Sequence, residues 1–104
     1  MKFVAVTACP TGIAHTYMAA ENIEKTAKEL GHEIKVETQG AMGIENELTA
    51  DDIANADVVI FAVDIMVEQL ERFDGKPIIE VPVQQALKNP KGVFEKTPEY
   101  TDPN

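Results

Sequence analysis

The sequence predicts an α/β fold, a three-layer sandwich in which helices cover both faces of a four-stranded parallel sheet. Two runs, Phe3–Val6 and Val58–Val63, are continuously apolar, as strands buried on both faces require. Segments with apolar residues at three- and four-residue spacing alternate with these strand-like runs, which is the pattern of βα units. Together the two observations predict a β/α sandwich with a parallel sheet.

The composition of the chain is typical of one folded domain and does not favour binding to nucleic acid. The chain has 104 residues, 44% hydrophobic, and a formal net charge of −9 with no basic stripe, so we expect no nucleic-acid binding. No apolar stretch approaches the ~20 residues of a membrane span, and no signal peptide precedes the first strand, so we expect a cytoplasmic protein without membrane insertion. A monomer is the default expectation, since the sequence carries no signal for oligomeric state. The single cysteine, Cys9, suits a reducing compartment.

The first strand, Lys2–Thr7, leads through a loop into an amphipathic helix that starts near His15. Gly31 provides a C-terminal stop for this helix. The apolar positions of the helix are Ala19, Ile23, Ala27 and Leu30. On the charged face, acidic and basic residues stand four positions apart, Glu21 with Lys25 and Glu24 with Lys28.

The second strand alternates, and the alternation predicts an edge position with one wet face. In His32–Thr38, the residues Glu33, Lys35 and Glu37 share the polar face. The glycine-containing loop Gln39–Gly43 follows, and we expect it to shape the same end of the sheet as the Cys9 loop. Thr49 and Asp52 then form a capping box that opens a short helix.

After the central strand Val58–Val63, a loop at Asp64 leads into a predicted helix with apolar Met66, Leu70 and Phe73. Ile78–Val81 is the fourth strand, and Pro82 opens a last helix. We place the domain at residues 1–90 and a polar tail or linker end at residues 91–104, in which Val93 and Phe94 are the residues able to pack back onto the domain.

Central strands belong in the middle of the sheet and the alternating strand at its edge, so the expected order is 2-1-3-4. With right-handed crossovers, this order makes the first strand the point at which the winding direction reverses. Ligands bind at the carboxyl end of such a strand. The loop at that end begins with Cys9.

The segment Thr7–Thr16, TACPTGIAHT, is therefore the candidate site. A thiolate is a nucleophile, and a helix N-terminus lowers the pKa of a thiol and attracts anions. We interpret Cys9 as the catalytic residue, against the plain alternative that it is a small buried hydrophobic side chain. The candidate phosphate-binding residues follow it directly: Pro10, Thr11, Gly12, Ile13, Ala14, His15 and Thr16. No metal-ligand cluster and no cofactor motif accompany them.

Three functions compete for such a loop. A cysteine phosphatase requires an arginine six residues after the nucleophile, where this chain has His15. A flavodoxin-like binder requires aromatic residues, and this chain has no Trp and two Tyr. A phosphoryl carrier needs neutral hydrogen-bond donors that hold the phosphoryl group without promoting its hydrolysis. This hypothesis fits the loop best. A phosphate-binding or redox regulatory protein is the non-enzymatic alternative.

The chain resembles the fructose-type IIB component of the bacterial phosphoenolpyruvate-dependent sugar phosphotransferase system (PTS). The resemblance rests on VTACPTGIAHTYMAAE (Val6–Glu21), VETQGAMG (Val36–Gly43), ADVVIFAVD (Ala56–Asp64) and RFDGKP (Arg72–Pro77). It implies a protein-phosphocysteine–sugar phosphotransferase, or kinase, in which Cys9 receives phosphate from a phosphohistidine of the IIA component. Cys9 would then donate it to a sugar carried by the membrane component IIC. The resemblance adds no metal or cofactor to this step.

Overall fold

A computed structural model describes residues 2–9, 13–40 and 43–95, and it describes only the backbone of residues 13 and 14. No helix among these residues is long and apolar enough to cross a membrane. The strands and helices, in chain order, are β1 (Lys2–Ala8), α1 (Ile13–Glu29), β2 (Glu33–Gly40), β3 (Gly43–Glu45), α2 (Ala50–Asn55), β4 (Val58–Val63), a 3-10 helix (Leu70–Phe73), β5 (Ile78–Val81), α3 (Val83–Lys88) and α4 (Pro90–Glu95).

The sheet confirms the predicted α/β class and the order of the four parallel strands. Its strands run β3-β2-β1-β4-β5, and β2, β1, β4 and β5 are parallel. The prediction of four strands with β2 at the edge is wrong, because the short strand β3 pairs antiparallel with β2. Gly43, at φ +89°, adopts the backbone conformation that a glycine readily supplies where β3 begins. Three residues are too few to show a strand periodicity in the sequence.

The sheet buries a separate hydrophobic cluster on each face. One cluster joins the sheet to α1, α3 and α4, and its members include Phe3, Ala5, Cys9, Ile23, Val81, Ala86 and Val93. The other cluster joins the sheet to α2 and the segment that follows β4, and it contains Val4, Val6, Leu48, Ile53, Ala56, Val59, Phe61, Val67 and Phe73. Alternate residues of β1 therefore point into different clusters, as the pleat requires.

Two helices follow their sequence signals closely. In α1, Ile23 and Ala27 are fully buried, and Gly31 adopts φ +83° just after the helix. Leu30 lies beyond the last helical residue and is half exposed. The predicted capping box of α2 is confirmed: the Thr49 hydroxyl accepts from the Asp52 N–H at 3.0 Å, and the Asp52 carboxylate accepts from the Thr49 N–H at 2.9 Å.

The helix predicted from Met66 onward is wrong. Residues 64–69 are irregular, and only Leu70–Phe73 forms a 3-10 helix. Gln69 has the left-handed conformation at φ +58°, which a continuous α-helix does not tolerate. Phe73 is buried as predicted, whereas Met66 is 82% exposed.

A further helix, α4, follows the helix that the sequence predicts as the last one. Val93 of α4 is fully buried, and the ring of Phe94 lies 5.2 Å from that of Phe3. Val93 and Phe94, the two residues able to pack back onto the domain, therefore do so. The division into residues 1–90 and 91–104 stays a prediction, and residues 96–104 lie outside the described part of the chain.

Candidate active site

Cys9 directly follows β1, the middle strand of the sheet, at its carboxyl end. The thiol residue is 6% exposed and belongs to the hydrophobic cluster on the α1 side. Ala8, just before it, pairs with Gln39 of β2 on one side and with Val63 of β4 on the other. Cys9 therefore leaves the sheet at the topological switch point, where open α/β sheets bind their ligands.

Helix α1 begins four residues after Cys9, and its first turn carries no acidic residue. The first amides of a helix have no partner within the helix, and the helix dipole places partial positive charge there. The Thr7 hydroxyl donates to the Thr16 carbonyl oxygen at 3.2 Å, and both threonines are buried. This hydrogen bond ties the end of β1 to the first turn of α1 across the loop.

The predicted phosphate-binding residues fall into three groups. Pro10, Thr11 and Gly12 lie outside the described residues. Ile13 and Ala14 begin α1, but their side chains lie outside the described part. His15 is exposed and Thr16 is 2% exposed. The structure brings Cys9 and the start of α1 to one end of the sheet, and phosphate binding by these residues stays a prediction.

Asp64 fixes the neighbouring strand end. Its N–H donates to the Ala8 carbonyl oxygen at 2.9 Å, and its carboxylate accepts from the Val83 N–H, at the start of α3, at 3.2 Å. One residue thereby links the ends of β1 and β4 to α3. Through Ala8, it constrains the backbone that carries Cys9.

Exposed apolar side chains lie on two segments near this end of the sheet. Tyr17 and Met18 are in the second turn of α1, and Ile65 and Met66 follow β4. Ile65 and Met66 also line a groove of about 440 Å³. The apolar residues at the strand ends and adjoining loops, among them Ile13, Met42, Ile65 and Met66, lead us to expect an exposed docking patch for IIA and IIC. Ile65 and Met66 are exposed, whereas Met42 and the side chain of Ile13 lie outside the described part.

Tyr17 links α1 to the β2–β3 hairpin. Its hydroxyl donates to the Glu45 carboxylate on β3. This hydrogen bond to a carboxylate raises the pKa of Tyr17. The hydroxyl therefore stays protonated as a donor.

A buried polar cluster of Glu37, Gln39 and Arg72 lies at the same end of the sheet, on the face opposite α1. Arg72 Nη1 and Nη2 each donate to Glu37, at 2.9 Å to Oε1 and 2.9 Å to Oε2. The Gln39 amide donates to Glu37 Oε2 at 2.6 Å, and the Leu48 N–H donates to Glu37 Oε1 at 2.8 Å. Glu37 is fully buried, and the prediction that it shares a wet face with Glu33 and Lys35 is wrong.

The cluster also holds the segment that follows β4. The Glu68 N–H donates to the Gln39 side-chain oxygen at 2.8 Å, and the Glu68 carbonyl accepts from Gln39 at 3.2 Å and from Arg72 at 3.3 Å. Arg72 lies 4.9 Å above the Phe73 ring. The cluster leaves no orphaned charge, because every buried side-chain nitrogen and oxygen in the described part has a partner.

Burial alone would raise the pKa of Glu37, but the hydrogen bonds from Arg72, Leu48 and Gln39 outweigh it and lower that pKa. The hydrogen bonds to Glu37 raise the pKa of Arg72. Both groups are therefore charged at neutral pH. The one sequence signal for this pair is that Arg72 is the only arginine of the chain and lies within the RFDGKP motif.

Residues 2–9, 13–40 and 43–95 contain no group of three or more His, Cys, Asp or Glu side chains placed to hold a metal ion. Besides the Asp64 carboxylate and the polar cluster, these residues contribute to this end of the sheet one thiol, one exposed imidazole at the start of a helix and the amides of that helix.

Comparison with known proteins places the chain in a family. Residues 4–96 match the family described as PTS system, Lactose/Cellobiose specific IIB subunit. The chain belongs to the PTS IIB family. It is a fructose-type member, since the similar curated proteins are fructose-like EIIB components.

Three relatives illustrate this membership. The PTS system fructose-like EIIB component 2 of Escherichia coli K12 is 55% identical over 95 residues, which is 91% of this chain and 90% of that protein. The fructose-specific EIIABC component of Bacillus subtilis is 54% identical over 91% of this chain, but the match spans 15% of that larger protein. A crystallised domain of the fructose-specific IIABC component from Borrelia burgdorferi has a TM-score of 0.90 at 48% identity, covering 97% of this chain and 96% of that one.

Proposed function

We propose that this IIB protein is a phosphoryl carrier in which Cys9 accepts phosphate from a phosphohistidine of a fructose-type IIA component. Cys9 then donates it to a fructose-type sugar transported by the membrane component IIC. The observation that supports this proposal is the position of Cys9, which directly follows the central strand of a PTS IIB fold and precedes the N-terminus of α1 by four residues.

The first transfer requires only alignment and neutralisation of charge. The Cys9 thiolate attacks the phosphorus of the phosphohistidine; an S–P bond forms as the P–N bond breaks, and the released imidazole takes up a proton. In the second transfer, a sugar hydroxyl attacks the phosphorus. The S–P bond breaks, and the thiolate leaves while the hydroxyl gives up its proton.

The loop residues Pro10 to Thr16 serve in this proposal as the phosphate-binding loop. Backbone amides at the start of α1 are fixed donors for a dianionic phosphoryl group. Two observations support this assignment. The first turn of α1 carries no acidic residue that would repel an anion, and the buried Thr7–Thr16 hydrogen bond holds this turn beside the end of β1.

Intact-mass measurement tests the proposal. The protein is incubated with phosphoenolpyruvate, enzyme I, the histidine carrier protein and a fructose-type IIA, and we expect one phosphoryl adduct that maps to Cys9. Cys9→Ser should fold and acquire none. Absence of an adduct with several active IIA donors would rule out the carrier role and favour a phosphate-binding or redox role.

A further inference from the structure

The segment 64–69 passes across the end of β1. It leaves β4, which pairs with one side of β1, and it is hydrogen-bonded at Glu68 to Gln39 of β2, which pairs with the other side. To join these two strands, it has to cross the central strand. Val67 of the segment packs in the same cluster as Val6, so the crossing lies on the sheet face opposite α1.

This crossing segment touches the backbone that carries the thiol. At its start, Asp64 donates to the carbonyl oxygen of Ala8, the residue before Cys9. At its end, Gln39, the register partner of Ala8, exchanges two hydrogen bonds with the Glu68 backbone. Ala8 is itself fully buried. The last residue of β1 is thus enclosed by one segment that is anchored on both sides of it.

The anchor on the β2 side is the buried polar cluster of Glu37, Gln39 and Arg72. Arg72 contacts three segments of the chain. It pairs with Glu37 on β2, and it donates to the Leu48 carbonyl oxygen at 3.4 Å and to the Glu68 carbonyl oxygen at 3.3 Å. A bidentate arginine with further backbone acceptors fixes geometry as well as charge, which a lysine cannot reproduce.

We propose that Glu37, Gln39 and Arg72 are positioning residues for Cys9. By holding the crossing segment against the end of β1, they fix where the thiol stands relative to the incoming phosphoryl group. This inference rests on the proposed carrier function. Misplacement of a reacting atom by about 1 Å can reduce a rate by about 100-fold. Partial loss of the cluster is therefore expected to lower the maximal transfer rate by about tenfold.

Two variants test the positioning role. Gln39→Leu removes the link to Glu68 and the Gln39 hydrogen bond to Glu37, without burying a new charge. Arg72→Lys keeps a cation beside Glu37 but loses the bidentate contact. The matched control is Thr49→Ala, which weakens the capping box of α2 and removes no hydrogen bond made by Glu37, Gln39 or Arg72. Phosphorylated fructose-type IIA is mixed with each protein, and rapid-quench intact mass gives the maximal rate and the half-saturating IIA concentration.

We expect both variants to reach about one-tenth of the wild-type maximal rate, with the half-saturating IIA concentration changed less than about threefold. Thr49→Ala should retain the wild-type rate although it is less stable. In Gln39→Leu, exchange of the Asp64 amide hydrogen should also accelerate, because the Asp64–Ala8 hydrogen bond loosens.

Three results would overturn the positioning role: wild-type rates in a folded Gln39→Leu or Arg72→Lys, an equal loss of rate in Thr49→Ala, or a change confined to the half-saturating concentration. If Gln39→Leu does not fold, Arg72→Lys decides. A wild-type protein that accepts no phosphate from IIA would instead refute the carrier function, and the positioning role with it.

Discussion

Lys35 and Glu37 lie two positions apart on the same face of β2, and each forms an ion pair. The surroundings of the two ion pairs differ. Lys35 pairs with Asp52 of α2 at 2.8 Å, and about a third of each side chain is exposed. Glu37 pairs with Arg72 at 2.9 Å, and its side chain is fully buried. Leu48 and the segment after β4 cover the strand face from Glu37 onward but leave Lys35 at its margin.

This difference shows how one strand changes role along its length. Near the amino end, the pair lies at the surface beside α2, where water screens its attraction. Near the carboxyl end, the pair is desolvated, and removal of either partner leaves a buried charge without compensation. The structure therefore places its costlier electrostatic interaction at the end of the sheet that carries Cys9.

Arg72→Ala is expected to have the largest effect on stability. The substitution leaves the buried Glu37 carboxylate without its cationic partner, and breaking a buried ion pair costs about 3 kcal/mol or more of unfolding free energy. Urea denaturation followed by circular dichroism measures the loss. A change below about 1 kcal/mol would mean that the Glu37 surroundings relax or admit water, and the contrast between the two pairs would disappear.

Acid stability distinguishes the two carboxylates by their pH windows. The folded pKa of Glu37 lies below its ordinary value of 4.5, so its contribution is complete above that pH and is lost as the pH falls below it. The hydrogen bond from Lys35 is the first cause that lowers the pKa of Asp52 from 3.8 to about 2, so its contribution is lost between those two values.

We therefore expect Glu37→Gln to flatten the fall in unfolding free energy that begins below pH 4.5, and Asp52→Asn to flatten it mainly between pH 3.8 and about 2. Urea denaturation at half-unit pH steps measures both slopes. Parallel curves for wild type and Glu37→Gln would show that Glu37 titrates normally in the folded protein.

Thr49→Ala is expected to have a moderate effect that acts through the capping box of α2. It removes the hydroxyl that accepts from the Asp52 N–H, and loss of such an N-cap costs about 1 kcal/mol. Chemical denaturation measures this cost. Thr49→Ser, which keeps the hydroxyl, is the control and should recover most of the lost stability; failure to recover would point to the methyl group instead of the cap.

Salt is expected to have the smallest effect. The partly exposed Lys35–Asp52 pair should weaken as ionic strength rises, whereas the buried Glu37–Arg72 pair should not. The difference in denaturation midpoint between wild type and Asp52→Asn should shrink from low to high sodium chloride, and that between wild type and Arg72→Ala should stay constant. Equal salt dependence would place both pairs in similar dielectric surroundings.

Much of the fold is predictable because long apolar runs and helical periodicity carry it. The runs Phe3–Val6 and Val58–Val63 are central strands, and Ile23 and Ala27 face the core as their spacing indicates. The position of Cys9 at the switch point follows from strand order alone. The short β3 and the irregular segment 64–69 give no such periodic signal, and Leu70 and Phe73 imitate one.

The buried polar cluster could not be predicted because its partners are distant in sequence. Glu37 and Arg72 are 35 residues apart, and the alternation of β2 assigns Glu37 to solvent. Glu37 is buried because Leu48 and the segment that contains Glu68 pack over this part of β2. The one signal in the sequence, a single arginine within the RFDGKP motif, does not identify its partner.

The contact between Phe94 and Phe3 has a consequence for how the domain can be joined to others. Phe3 lies near the start of β1, and Phe94 lies in the last described helix. Both are at the end of the sheet where the parallel strands begin. Cys9 is six residues along β1 from Phe3, roughly 20 Å away at the rise of an extended strand. The Bacillus subtilis relative shows that such a unit can form 15% of a larger chain. In a chain of that kind, the described residues nearest to the two junctions, at the start of β1 and in α4, would lie at the end of the sheet opposite Cys9, so they would occupy no part of the surface around the thiol.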